Sequence, residues 1–121
     1  MYKILATDAL KDLVAAHKAI KRWLAWCDGL SAAKKAAGLY EADLHDNNYS
    51  AWLALSIEVE KTYVAVNKRP PMPSKNRKHQ MYSNAYRAAQ LADVEIAPGS
   101  IRDMDDVARV IADVTAALAV S

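Results

Sequence analysis

Apolar residues recur every three or four positions in separate stretches of this chain, and that spacing is the mark of amphipathic helices. The first series is Leu10, Leu13, Val14, His17, Ile20, Leu24 and Cys27. Thr7 or Asp8 can cap it, and Gly29 follows as a natural stop, so a helix is expected over about 8–28. Trp23 and Trp26 lie off its main stripe, which predicts either a wide buried face or tryptophans offered to a neighbour.

The same reading continues along the chain. Ser31 can cap a short second helix to Ala36 or Ala37, with Gly38 breaking or bending the chain after it. Residues 39–45 either continue it or form a separate short turn. Asp46, Asn47 and Asn48 bond local backbone in preference to helix. A third helix then opens at Asn48 or Ser50 and runs to about Val66. Its stripe is Tyr49, Trp52, Leu53, Ile57 and Val64, widened by Leu55, Val59 and Val66, and a helix apolar on most sides is expected to be central. Ser74 caps a fourth helix to about Ala92, with a small inner face of Met81, Ala85, Ala88, Ala89 and Ala92. Ser100 and Asp103 have capping-box spacing ahead of a last helix on Met104, Val107, Ala108, Ile111, Val114 and Leu118.

One segment resists helix altogether. Residues 67–74 read Asn-Lys-Arg-Pro-Pro-Met-Pro-Ser, and three prolines in four residues favour an extended linker. The chain of 121 residues is 53% hydrophobic and 25% charged, a globular composition for one domain. With only three glycines and no phenylalanine, the expectation is all-α: a compact bundle of four to five helices in a single domain, 1–121. Leu13, Ile20, Leu24, Leu53, Ile57, Val107, Ile111 and Val114 are the expected core.

Charge is distributed unevenly. Residues 1–60 carry a net −1, residues 61–92 carry +7 with no acid, and residues 93–121 carry −4. Within and beside the basic segment, Lys68, Arg69, Lys75, Arg77, Lys78, Tyr82, Tyr86 and Arg87 form a candidate nucleic-acid or polyanion surface. Cations neutralise phosphates and tyrosine rings stack on unpaired bases. The competing expectation is internal: acidic Asp103, Asp105, Asp106 and Asp113 fold back and neutralise the basic face.

Other chemistry is thin. Glu41 and His45 are four apart, the spacing of two ligands on a helix, but no second such pair completes a metal site. No metal or cofactor is therefore expected. Cys27 is the single cysteine, which excludes an intrachain disulfide, and it reads as a small core hydrophobe. His17 on an apolar stripe reads as a hydrogen-bonded core or interface histidine. No phosphate-binding glycine loop, zinc series or nucleophile elbow is present, so the chain is read as non-enzymatic. Pro70-Pro71-Met72-Pro73-Ser74-Lys75 has the form of a polyproline ligand, but the match is short and a rigid interhelix spacer is the favoured reading.

The leading functional expectation is a protein-interaction module, a self-assembling subunit or a regulator of a larger protein. Trp23, Trp26 and Trp52 are its candidate interface residues, because tryptophan is enriched in binding hot spots. The alternative is DNA or RNA binding through residues 61–87. No apolar stretch is long enough for a membrane span, and charges at Lys3, Asp8, Lys11 and Asp12 interrupt any signal-peptide pattern. Cytoplasmic residence is the resulting expectation.

Overall fold

The computed structural model describes residues 2–120. Among the described residues there are five helices and no strand: α1 Lys3–Ala36, α2 Ala42–Asn47, α3 Tyr49–Val66, α4 Lys75–Leu91 and α5 Met104–Ala119. The all-α class is as expected. No helix of the described residues is long and apolar enough to cross a membrane.

The chain divides into two compact units. One holds the residues before Arg22 together with those from Met72 onward; the other is Arg22–Pro71. In the first, Ala6, Leu13, Ala16 and Ile20 of α1 join Met81, Ala85, Ala88 and Ala89 of α4, with Ala92, and Val107, Val110 and Val114 of α5 in one buried cluster. The small inner face expected for α4 is buried at every position. On α5 the buried face turns slightly from the expected one: Val110 is buried, while Ile111 is only partly covered at its edge.

Helix ends follow local chemistry. The Ser74 side chain accepts from the Arg77 N–H at 3.1 Å and starts α4. The N-cap of α5 is Asp103, three residues later than the sequence spacing suggests. Asp103 accepts from the Asp106 N–H at 2.8 Å, and Asp106 accepts from the Arg102 N–H at 2.9 Å. Ser100 instead turns back to the Ala97 carbonyl at 2.7 Å. His17 reaches the Met104 carbonyl, 3.1 Å from its Nε2, an ordinary tie for a histidine on a packed face.

The first helix departs most from expectation. Gly29 does not stop it; α1 runs on through Ser31, absorbing the expected second helix. Gly38, at φ +82°, marks the turn beyond it, a backbone conformation L side chains rarely adopt. The role of Gly29 is spatial instead. A Cβ there would overlap the Tyr63 hydroxyl and lie 3.2 Å from the ring carbon bearing it.

Candidate functional site

The Arg22–Pro71 unit is built on aromatic side chains with satisfied polar ends. The Trp26 indole N–H donates to the Asn67 carbonyl at 2.9 Å, and that of Trp52 donates to the Leu39 carbonyl at 2.7 Å. Tyr63 packs edge-on to Trp26, with ring centroids 5.4 Å apart. Trp23 stacks on Trp26 at 5.5 Å, and the Arg69 guanidinium lies over both indoles at 5.5 and 5.4 Å. His45 stands edge-on to Tyr49 and Trp52, at 5.5 and 4.8 Å. Its ring nitrogen faces Asp46 at 3.2 Å.

Of the three candidate interface tryptophans, Trp26 is buried, and Trp23 and Trp52 are partly covered. Their contacts with Arg69, Asn67 and Leu39 hold the unit together, and Trp26 belongs to its interior. On α1 between Arg22 and Ala36, Trp26 is the one buried residue; Trp23 is partly covered beside it and Leu24 is exposed.

Helix α3 contains no buried residue, contrary to its expected central place. Asn48 caps it by accepting from the Ala51 N–H at 3.2 Å. Trp52, Leu55, Ser56, Val59 and Tyr63 form its partly covered side. Next to that side, Tyr49, Leu53, Ile57 and Val64 are 56, 41, 59 and 40% exposed. At about 100° per residue they occupy one stripe, and Ser50, Ala54, Lys61 and Ala65 extend it to an arc of roughly 160°. Two charges fall on that arc, Glu60 near Leu53 and Lys61 near Ala54, and Glu58 stands at its margin. Glu58 and Lys61 are exposed, and neither joins an ion pair among the described residues. Glu60 faces Lys34 at 4.0 Å.

Leu53 and Ile57, expected in the core, are therefore on the surface, and so is Leu24, which is 36% exposed. Each sits on a sound helical stripe. The alternation shows that one face is apolar; it does not show that this chain supplies the surface to cover it.

The basic segment is divided. Lys68 and Arg69 lie in the Arg22–Pro71 unit, and Lys75, Arg77, Lys78 and Arg87 in the other. On α4 the four cations point around the helix rather than along one side. Arg77 and Asp12 line a cleft of about 300 Å³ with Gln80 and Asn84. Arg87 lines a smaller one of about 100 Å³ with Asp8 and Asp12. Asp8 and Asp12 of α1 share these clefts with the arginines. Asp106 pairs instead with Arg109 on its own helix. Tyr82 and Tyr86 are partly covered by the core, and the Tyr86 hydroxyl accepts from the Ile101 N–H at 3.2 Å. Lys68, Lys75 and Lys78 remain exposed, with no ion pair among the described residues.

Residues 67–74 are extended but not loose. Pro70 and Pro73 are buried, while Pro71 and Met72 are exposed. Those buried prolines are the two that a polyproline-binding groove would need to grip. Glu41 and His45 do not come together as ligands: the Glu41 carboxylate lies beside Gly38, and His45 turns to Asp46. Comparison with protein-family models, with curated proteins and with solved structures gives no match to this chain.

Proposed function

We propose that this chain is a protein-interaction module that docks through the outer face of α3. The observation that carries the reading is an 18-residue helix with no buried residue whose exposed side presents Tyr49, Leu53, Ile57 and Val64 in a row. Contiguous exposed apolar side chains on a water-facing surface mark sites where another surface lands. The tryptophans then act behind the face, holding α3 and the end of α1 in place. No catalytic role is assigned to any residue.

A photo-crosslinking residue at position 57 tests the reading in cells of the natural host. Docking predicts a discrete protein adduct that Leu53→Asp abolishes. A crosslinking pattern at position 57 no different from that at exposed position 105, on α5, would contradict it.

A second reading is supported by a different feature. The first turn of α4 holds Lys75, Arg77 and Lys78 and no acid, which opposes the helix dipole and favours a polyanion nearby. Retention on heparin that falls steeply with salt, and falls further in a Lys75→Gln/Lys78→Gln variant, would favour it. The partial covering of both tyrosines and the acids beside Arg77 and Arg87 make it the weaker of the two.

A further inference from the structure

We infer that the occupant of the α3 face is a second copy of α3, laid antiparallel across a twofold axis between Val59 and Glu60; this rests on the docking reading above. The face is self-complementary. A twofold interface needs each feature of the surface to be matched by another feature of the same surface.

On α3 the exposed arc carries that match. An axis between Val59 and Glu60 sets Glu58 opposite Lys61 of the second copy, and Lys61 opposite the second copy's Glu58. Both side chains are exposed and lack an ion pair among the described residues. The same operation sets Ala54 against the second copy's Ala65, two small residues that let the backbones approach. On the other edge Leu53 comes beside the second copy's Val64, and Ile57 lies near the axis; the two Glu60 side chains also meet on this edge, each compensated by Lys34 of its own copy, 4.0 Å away. The two Glu58–Lys61 contacts lie on the Ala54–Ala65 edge, because an antiparallel twofold pair keeps like edges together. A parallel pair would instead set Lys61 level with Lys61.

An 18-residue helix spans about 27 Å. One pair of such helices lies at the small end of stable interfaces, so the dimer should be reversible and concentration-dependent.

Sedimentation of the intact chain tests this. The parent should approach twice its 13.3 kDa at high micromolar concentration. Glu58→Lys and Lys61→Glu, each alone, set like charges opposite one another twice and should weaken association by roughly tenfold or more. An equimolar mixture of the two variants restores opposite charges at both contacts and should dimerise at least as well as the parent. Both sites are exposed, so each variant should keep the parent's helicity and melting temperature, which circular dichroism verifies. A parent that stays monomeric overturns the self-pairing. So does a dimer whose strength ignores the single reversals, or a mixture no tighter than its components. If the parent is monomeric while position 57 still crosslinks to another protein, only the identity of the occupant is wrong and the docking reading stands.

Discussion

The Tyr63 hydroxyl donates a 2.8 Å hydrogen bond to the main-chain carbonyl of Trp26, and it reaches that carbonyl across the bare Cα of Gly29. A glycine inside a helix ordinarily costs ~1 kcal/mol against alanine. Here it opens the approach of α3 to α1. Gly29→Ala should therefore forgo the usual helix gain and lower stability by about 1 kcal/mol through the lost hydrogen bond. In a Tyr63→Phe background, where the hydroxyl is gone, the same substitution should be less harmful or stabilising. Urea titration of the four proteins measures the coupling, and additivity would contradict the contact.

The two helix faces predict opposite responses to truncation. Leu13→Ala or Ile20→Ala empties a buried site and should cost ~2–5 kcal/mol. Leu53→Ala and Ile57→Ala lie on the open face and should change the stability of the dilute chain by about 1 kcal/mol or less. Equal losses at all four positions in urea denaturation would mean that α3 is covered by its own chain.

Arg69 is read as a structural cation over two indoles. Arg69→Gln should reduce stability by ~0.5–1 kcal/mol, the range for an exposed cation–π contact, and change tryptophan fluorescence. Unchanged emission and unchanged melting together would release Arg69 from this role.

The start of α5 supplies a local check. Asp103→Ala removes the cap and should cost about 1 kcal/mol, whereas Asp103→Ser should keep most of it. Ser100→Ala, at the position that spacing alone favours, should be close to neutral in thermal melts.

Much of the architecture is legible in local chemistry. Ser74 and Asn48 cap α4 and α3 because their side chains compete for nearby backbone N–H groups, and the alanine face of α4 could bury little else. Gly29 and Gly38 are harder to separate. Both are glycines near a helix end, and only the tertiary approach of Tyr63 distinguishes a clearance from a stop. Leu24, Leu53 and Ile57 mislead for a related reason. Periodicity reports an apolar stripe whether the surface that covers it is in the same chain or in another. Arg77 and Arg87 have no acid among their neighbours in sequence, while Asp8 and Asp12 share their clefts from a helix more than sixty residues away.

Thiol labelling at position 57 tests the central claim, that the α3 face is open in the isolated chain and covered when the protein works. The variant is Ile57→Cys with Cys27→Ser, compared with Asp105→Cys on the same background. In dilute purified protein both positions should react with a maleimide at the rate of an exposed thiol. In intact host cells position 57 should be protected several-fold relative to position 105, as expected of a residue inside an interface. Slow labelling in the dilute chain would show that the stripe is covered from within, and equal labelling of the two positions in cells would show that nothing docks there.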